Sequence, residues 1–389
     1  MSWLLYIALF VAGSISAELT EFTTSSTSFT LDFFKRAYVP AENVVLSPIS
    51  IQSSLTMFYP LAGSKVSPAM QQHLYLPADK DRATSNLRGF LQALNEQGSA
   101  GSSTLKVVSK VYHVNAKLKP QVEPLFKDTF GAEIETADFH DQAKVAAAVN
   151  EWVDQATNGM IKEFMQADDV RVDNDLMLLN VVALNASWAV PFNPSDTESV
   201  PFHFVNGDHQ VDMMFKQEQL LYANLHEHGC QAVELLYEEG TDLSMVVVLP
   251  MKKSTLENVV RNMDINFYER INERLNEERI QLAMPKFTMR RKTDAQDLLK
   301  DMGLTALFEE LDLDLLVRDK SRIGEVRQTA FIKVDESGTE GAAATETQAV
   351  GRAGYPNFYV DRPFLYLIRK RSTKDIIFIG HYSVFEQPQ

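Results

Sequence analysis

Hydrophobic positions along the chain recur in two patterns, one typical of helices and one of strands. The clearest helical pattern lies in AAAVNEWVDQATNGMIKEFM, which ends at Asn158 and Gly159. Four apolar residues recur there at helical spacing: Val149, Trp152, Val153 and Ala156. A second helix is expected after Ser67. The first half of the chain is therefore predicted to carry amphipathic helices.

Strand patterns dominate the second half. Six segments are rich in aromatic and β-branched residues and are separated by turn signals: LLYANL, QAVELLYE, DLSMVVVLP, IQLAMPKF, PFLYLIRK and DIIFIGHYSVF. Helical and strand segments are mixed without regular βαβ spacing, and neither a long linker nor an internal repeat divides the chain. We therefore predict an α+β fold in one domain.

One polar segment, DESGTEGAAATETQAVGRAGYP over residues 335–356, fits neither pattern. Alternate residues of a strand face opposite sides of a sheet, so the segment divides into two sets. The first set is small and uncharged: Thr339, Gly341, Ala343, Thr345, Thr347 and Ala349. The second set carries both glutamates and the amide: Glu340, Ala342, Ala344, Glu346, Gln348 and Val350. Such a segment is suited to slide between two existing strands, with the small first set facing inward and the polar second set facing outward to solvent. A flexible, protease-sensitive loop fits the composition equally well.

Composition and charge narrow the classes of partner. The 389 residues are 45% hydrophobic and 23% charged, which is ordinary for a globular protein with a large core. The formal net charge is -15, and the basic residues are dispersed. Nucleic-acid binding needs a clustered basic field, so we expect protein partners instead.

The N-terminus has the features of a secretory signal. An apolar stretch too short to span a bilayer precedes the small residues Ser14, Ser16 and Ala17, although the segment lacks Lys and Arg. Removal of residues 1–17 would leave a mature chain of 18–389. The sequon Asn185-Ala186-Ser187 is a candidate N-glycosylation site. We therefore expect a secreted, extracellular glycoprotein without a membrane anchor.

Motifs for catalysis or metal binding give little support to an enzyme. The sequence has no G-x-S-x-G elbow, Walker A loop, dinucleotide fingerprint or H-E-x-x-H helix. The one metal-like cluster is HEHGC, from His226 to Cys230. On a strand its alternate ligands would lie about 6–7 Å apart, too far to close a tetrahedral zinc site. Cys230 is the only cysteine, which excludes an internal disulfide. We predict no catalytic residue, no metal and no cofactor.

Several motifs in the same order resemble the serpin family. ESGTEGAAAT is similar to the family's hinge, usually E-x-G-T-E-A-A-A-A-T, and VDRPFLYLI with IIFIGHYSVF resembles its C-terminal strands. Upstream, three segments are similar to earlier parts of the family pattern: NVVLSPISIQSSLTMFYPLAGS, VNEWVDQATNGMIKEFM and LLNVVALNASWAVPFNPSDT. The resemblance covers about residues 28–385.

The resemblance implies a fold and a mechanism. It implies a single domain of three β-sheets with eight or nine helices and an exposed reactive-centre loop over about residues 336–356. Counting from Glu336 places the reactive bond between Arg352 and Ala353. Arginine there would suit trypsin-like serine proteases. Cleavage would let the loop insert into the central sheet and trap the protease as a covalent complex, so the chain would be an inhibitor and not an enzyme.

Individual site residues follow from the resemblance. The hinge and inserting loop comprise Glu336, Gly338, Thr339, Glu340, Gly341, Ala342, Ala343, Ala344 and Thr345. The resemblance also implies a gate and an entrance of the central sheet, formed by Ser47, Ser50, Asn180, Trp188, Lys286 and Gln328. For Lys286 and Glu336 we expect a gating ion pair. Each of these residues, the serines above all, also fits a role as an ordinary core residue.

Two departures from the family pattern bear on function. Gly341 replaces the alanine usual in the hinge and adds backbone entropy to be lost on insertion. Gln328 stands where many members have a histidine, which removes a pH-sensitive contact.

Two other functions were compared with inhibition. A non-inhibitory serpin, acting as a carrier or storage protein, would be signalled by bulky, charged or proline residues in the inward set of the hinge, and none occurs. A protease zymogen would need a catalytic constellation after Arg352, and the residues that follow are too few for one. The segment 81–101 lacks a basic helix face, so we predict no glycosaminoglycan cofactor. We also expect a monomer.

Overall fold

The computed structural model describes residues 21–96, 99–100, 103–339 and 355–386. The α-helices are α1 (21–37), α2 (Pro48–Thr56), α3 (Ser67–His73), α4 (Lys80–Glu96), α5 (Val122–Pro124), α6 (Gln142–Ala156), α7 (Leu256–Arg261), α8 (Ile265–Arg274), α9 (Gln296–Leu299) and α10 (Ala306–Glu309). Short 3-10 turns span Tyr59–Leu61, Ala167–Asp169, Pro194–Asp196 and His226–His228, and π turns span Leu125–Thr129 and Lys300–Leu304.

The strands of the described chain outnumber its helices. They are β1 (Val44–Leu46), β2 (Ser99–Ala100), β3 (Ser103–Val114), β4 (Glu133–Ala137), β5 (Leu176–Ser187), β6 (Thr197–Phe204), β7 (Gly207–Leu225), β8 (Cys230–Leu236), β9 (Leu243–Pro250), β10 (Asn276–Pro285), β11 (Phe287–Asp294), β12 (Glu325–Val334), β13 (Gly338–Thr339), β14 (Asn357–Tyr359), β15 (Phe364–Lys370) and β16 (Ile376–Tyr382). Each of the six predicted strand segments overlaps one or two of these strands, although several extend past the strand ends.

The strands form two hydrogen-bonded networks. The central sheet has the order β11-β12-β5-β3-β2, with β4 paired to β3 and β13 paired to β5. The larger network has the order β1-β16-β15-β9-β8-β7-β10-β14, with β6 paired to β7. Strand β7 pairs with β6 and β10 along most of its length and with β8 at its end, so two of the three expected sheets share a strand. The predicted α+β fold class is confirmed.

Helix α6 follows directly from the sequence pattern. The Asp141 side chain accepts a hydrogen bond from the Lys144 backbone N–H and caps its first turn. Val149 and Val153 are fully buried against the outer face of the central sheet, in a cluster that includes Leu179 of β5. After the helix, Asn158 and Gly159 both have positive φ, which ends the run as predicted.

Helix α2 lies on the opposite face of the central sheet, and every one of its residues is buried. Five of its nine residues are polar, which is unusual for a core helix. Three hydroxyl groups return to the helix backbone: Ser50 Oγ to Ser47 O, Ser54 Oγ to Ile51 O and Thr56 Oγ1 to Gln52 O. Small side chains allow the sheet to pack closely on this helix, which brings its N-terminus beneath the middle of β12. None of the helices within the described residues is both long and apolar enough to cross a bilayer.

The larger network contains a buried ion pair. The guanidinium of Arg369 on β15 donates two hydrogen bonds to Glu234 Oε1 on β8, at 3.0 and 3.2 Å. Ser244 Oγ on the intervening β9 donates to the same carboxylate. The two charged side chains are only 1% and 2% exposed, so each depends on the other for solvation.

Removing one partner of this pair should destabilise the protein more than removing both. Arg369→Met would leave the Glu234 carboxylate buried and unpaired, and we expect a loss of about 3–5 kcal/mol in the free energy of unfolding. The double variant Arg369→Met/Glu234→Leu should recover most of that loss. Chemical denaturation measures both, and the exposed pair at Arg261 and Glu257 supplies the control Arg261→Met, which should change stability by less than about 1 kcal/mol. Equal destabilisation in the single and double variants would refute this account.

Candidate functional site at the entrance of the central sheet

The central sheet is open at one end. Strand β12 pairs in parallel with β5 as far as Phe331, which lies opposite Ala183. Strand β5 continues to Ser187, and the two residues of β13 pair with its last part in the antiparallel sense. Gly338 is opposite Ser187, and Thr339 is opposite Ala186. The first residues of the hinge therefore lie against β5 where β12 no longer pairs with it.

Only a glycine fits at position 338. Its φ is +152°, and a Cβ atom would lie 2.2 Å from the carbonyl oxygen of Ala186 and 2.5 Å from Ser187 Cα. Since these are backbone atoms of a paired strand, they cannot move aside cheaply. A glycine is thus required for the chain to approach β5 this closely.

Trp188 anchors the turn that precedes β13. Its indole Nε1 donates to the carbonyl of Asp335 at 3.0 Å, and its backbone N–H donates to the carbonyl of Ser337 at 2.8 Å. The ring stacks on Tyr237 with centroids 4.7 Å apart and is 2% exposed. Asp335 also caps the turn, because its Oδ1 accepts from the backbone N–H of Ser337. Trp188 thereby fixes where the hinge leaves β12.

Glu336 forms the ion pair expected at the entrance. Lys286 Nζ lies 2.9 Å from its carboxylate, and Thr197 Oγ1 donates to the same group at 2.8 Å. Burial alone would raise the pKa of Glu336, but the hydrogen bonds from Lys286 and Thr197 outweigh it and hold the pKa below its ordinary value. The stabilisation is present above the carboxylate's ordinary pKa and is lost as the pH falls through the lowered one.

Gln328 is the centre of the buried polar contacts between β12 and α2. Its Oε1 accepts from the backbone N–H of Ser47 at 2.9 Å. Its Nε2 donates to the Ser47 carbonyl and to Ser50 Oγ, both at 2.8 Å. The side chain is 1% exposed. Three hydrogen bonds therefore tie the middle of β12 to the N-terminus of α2.

Asn180 lies opposite Gln328 in the strand register, but its side chain faces the other neighbouring strand. Its Oδ1 accepts from Ser109 Oγ on β3 at 2.9 Å, and its Nδ2 has no hydrogen-bond partner although it is buried. Thr293 of β11 lies opposite Gln328 on the far side. A row of polar residues thus crosses four strands, and no side-chain hydrogen bond joins Gln328 to Asn180 among the contacts the structure describes.

Other predicted site residues fall outside the described part of the chain. These are Glu340, Gly341, Ala342, Ala343, Ala344, Thr345, Arg352 and Ala353, together with the proposed signal segment 1–17. Asn185 is described: it lies on β5 opposite Thr104 of β3 and is half-buried. The structure brings together Trp188, Lys286 and the start of the hinge at one place, and Ser47, Ser50 and Gln328 at another. Their functional roles stay predictions.

The HEHGC segment does not form the strand that the sequence analysis assumed. His226–His228 form a 3-10 turn that ends at Gly229 with φ of 65°, and Cys230 begins the next strand. Burial, with the nearby Glu227, raises the pKa of the Cys230 thiol to about 12, so it stays protonated. The described residues contain no group of three or more His, Cys, Asp or Glu that could hold a metal ion.

Sequence reasoning missed several residues of this site. Asp335, Thr197 and Tyr237 all contact Trp188 or Glu336, and Ser109 holds Asn180. Only Asp335 had a local signal, because the run Asp-Glu-Ser-Gly is typical of a turn. The other three lie far from their partners in the chain, so their contacts depend on the tertiary fold.

Comparison with known proteins agrees with this geometry. The family profile described as serpin (serine protease inhibitor) matches residues 24–384. An uncharacterized serpin-like protein of Thermococcus kodakarensis is 31% identical over 91% of this chain and 83% of its own length. The leukocyte elastase inhibitor of Sus scrofa is 29% identical over 94% of this chain and 100% of its own.

Comparison with solved structures also indicates the serpin fold. SRPN18 from Anopheles gambiae has a TM-score of 0.84 and 29% identity, over 95% of this chain and 99% of the other. Serpins are in general protease inhibitors and not enzymes. With its hinge at the open end of the central sheet and a profile match over nearly its whole length, this chain belongs to the serpin family.

Proposed function

We propose that this protein is a secreted, single-use inhibitor of trypsin-like serine proteases, which it traps as an acyl-enzyme after cleavage between Arg352 and Ala353. The observation that carries the proposal is the pairing of Gly338 and Thr339 with the end of β5. It supports insertion because the hinge already occupies the position where an inserting strand would begin. Similarity to leukocyte elastase inhibitor supports the inhibitory class.

Continuing the register of β13 supports the division of the loop into two faces. Gly338 is opposite Ser187 and Thr339 is opposite Ala186, so each further loop residue would meet the preceding residue of β5. Gly341, Ala343 and Thr345 would then fall opposite Leu184, Val182 and Asn180, all fully buried and facing α2. Small, uncharged side chains are the kind that this face can accept.

The chemistry is an interrupted proteolysis. The protease serine attacks the carbonyl carbon of Arg352, its proton passes to the protease histidine and then to the departing amine of Ala353, and an ester to the protease forms. Insertion of the freed loop would pull the bound protease across the body and distort its active site. Losing one oxyanion donor costs a protease about 10²- to 10³-fold in rate, so hydrolysis of the ester stalls.

Arg352 sets the proposed specificity. Its guanidinium can form a bidentate pair with a carboxylate at the base of a protease pocket, as a trypsin-like enzyme offers. Arg369 and Lys370, two basic residues near the C-terminus, are less suitable as cleavage sites because both are buried within β15.

The polar contacts beneath β12 would keep the sheet closed until cleavage. Insertion requires β12 to separate from β5, and Gln328 ties β12 to α2 by three hydrogen bonds. Breaking them leaves the buried backbone N–H of Ser47 without a partner, at about 1–3 kcal/mol, whereas the Ser47 carbonyl and Ser50 Oγ still bond to each other. These bonds therefore oppose opening without a large apolar contact that would prevent it altogether.

Secretion is also proposed, from the apolar N-terminus with small residues ending at Ala17 and from the sequon at Asn185. A glycan at Asn185 would project from the outer face of β5, since the residues on either side of it, Leu184 and Ala186, face the core. We propose a monomer without a glycosaminoglycan cofactor.

Replacing Arg352 should abolish inhibition. With Arg352→Ala the guanidinium is lost, and we expect formation of the covalent complex with trypsin to fall by at least about 10³-fold. Complex formation is read on a denaturing gel and as the second-order rate of protease inactivation. Arg88→Ala, at an exposed arginine of α4, is the matched control and should behave as wild type. Cleavage of the wild-type protein without a complex would refute inhibition and favour a carrier or storage role.

Replacing Gly338 should impair trapping more than cleavage. A Cβ at this position collides with the backbone of β5, and backbone strain of this kind is worth about 1–3 kcal/mol. We expect Gly338→Ala to raise the number of inhibitor molecules cleaved for each protease inactivated. Gly89→Ala is the control, since a Cβ there meets no atom within 4 Å. An unchanged ratio in Gly338→Ala would show that this contact has no part in insertion.

A histidine in place of Gln328 should make stability depend on pH. A buried neutral histidine could accept the hydrogen bond from the Ser47 N–H, whereas its protonated form cannot, so stability should fall as the pH drops below its pKa. We expect the thermal midpoint of Gln328→His to fall between pH 8 and pH 5 relative to that of wild type, by the equivalent of about 1–3 kcal/mol. Gln155→His, at an exposed position, controls for an added histidine. A parallel pH dependence in Gln328→His and wild type would contradict the proposed contact.

A further inference from the structure

A cavity of about 160 Å³ lies beside the central sheet, apart from the entrance and the reactive bond. It occupies the space where the sheet edge is incomplete, because β4 pairs with β3 only from Lys110 to Val114. Six of its lining side chains are large and apolar: Met57, Leu91, Val107, Val108, Phe130 and Trp152. Its volume compares with the cavity of about 150 Å³ that accommodates benzene in another protein.

One end of the cavity carries a hydroxyl group that the protein does not use. Ser53 of α2 lines the cavity and is 3% exposed, and its Oγ has no hydrogen-bond partner. The other hydroxyls of this helix, on Ser50, Ser54 and Thr56, all donate to backbone carbonyls. A buried polar group without a hydrogen-bond partner destabilises the fold. A ligand that bonds to Ser53 Oγ would supply the missing partner, and this bond would favour binding.

The charged groups beside the cavity are already ion-paired. Glu133 lines it and forms an ion pair with Lys110 Nζ at 3.0 Å. The same ammonium group pairs with Glu135 at 2.8 Å and lies 5.7 Å from the centre of the Trp152 ring. Because Lys110 is already held by both carboxylates, the cavity offers no free positive charge to an anionic ligand.

We propose that this cavity binds a small, uncharged molecule that has an apolar ring or branched body and one hydroxyl or carbonyl group. The body would contact the wall of Met57, Leu91 and Phe130, and the polar group would bond to Ser53 Oγ. Both features are needed: a purely apolar molecule leaves Ser53 unpaired, and an anionic molecule loses hydration without finding a partner.

The site is coupled to opening of the central sheet, a part of the inference that rests on the proposed function. Ser50 and Ser53 belong to α2, which Gln328 ties to β12, whereas Ser109 belongs to β3, which is tied to β5 through Asn180. Opening between β5 and β12 therefore moves the two walls of the cavity relative to each other. A ligand that fits the closed arrangement favours the closed sheet by its difference in affinity for the two states.

Cyclohexanol is a suitable probe, because it combines a ring with one hydroxyl and does not absorb where tryptophan does. We expect a saturable rise in the thermal midpoint of the intact protein and a change in the emission of Trp152, with a dissociation constant of about 1 mM for so small a molecule. Cyclohexanecarboxylate at the same concentration should do neither.

Two variants test the site independently of the protease. Ser53→Ala should leave the protein as stable as before or more stable, because it removes an unpaired buried hydroxyl, yet should weaken cyclohexanol binding by about five- to tenfold. Ser54→Ala, one residue along and bonded to the Ile51 carbonyl, is the matched control and should bind as wild type. Ala132→Leu, which fills the cavity from its wall, should abolish the response.

The outcomes separate the site from the proposed function. Equal binding by wild type, Ser53→Ala and Ala132→Leu, or no saturable response at all, would show that the cavity is not a ligand site. If binding is confirmed and cyclohexanol also slows formation of the covalent protease complex, the coupling holds. Binding without an effect on that rate overturns the coupling alone, and a wild-type protein that forms no complex overturns the proposed function while leaving the site intact.

Discussion

Competition for one edge of β5 is the constraint on which the rest of the structure depends. Over residues 325–331 that edge is taken by β12, and beyond Ala183 it is taken by Gly338 and Thr339. Backbone groups of a buried strand need hydrogen-bond partners. Strand β5 can therefore exchange one partner strand for another, but it cannot leave this edge unpaired. Two segments therefore pair with the same edge of β5: strand β12 and the start of the loop that follows it.

The residues that hold the closed arrangement are polar for a physical reason. The stabilisation from an apolar contact between β12 and α2 would increase with the buried area and would persist as the two elements begin to separate. Hydrogen bonds, in contrast, weaken steeply once their geometry is lost. Gln328 satisfies all its contacts with Ser47 and Ser50 only in one position of β12. The ion pair of Glu336 and Lys286 has the same property at the entrance. Under the proposed function, such contacts would give a closed state that is well defined and that opens cooperatively.

Sequence reasoning reached the elements but only part of the site. The apolar runs of β9, β15 and β16 and the spacing in α6 are local patterns, and the structure follows them. The pairing of Lys286 with Glu336 was expected from family resemblance, and the contact is present. The bonds of Gln328 to the Ser47 backbone join residues 281 positions apart, which no local pattern can specify. The HEHGC segment was misread because the left-handed Gly229 forces a turn.

The register of β13 also determines where the later loop residues would lie if the loop inserted further along β5. Glu346 and Gln348 belong to the outward set of the loop, and solvent was expected on that side. Extending the β13 register would place Glu346 opposite Leu179, which is fully buried in the cluster beneath α6. A carboxylate cannot stay charged and unpaired in such a place at an acceptable cost. In the proposed mechanism, insertion to this depth would therefore require α6 to lift from the sheet, and the packing of Val149 and Val153 on β5 would help to determine how far a cleaved loop travels.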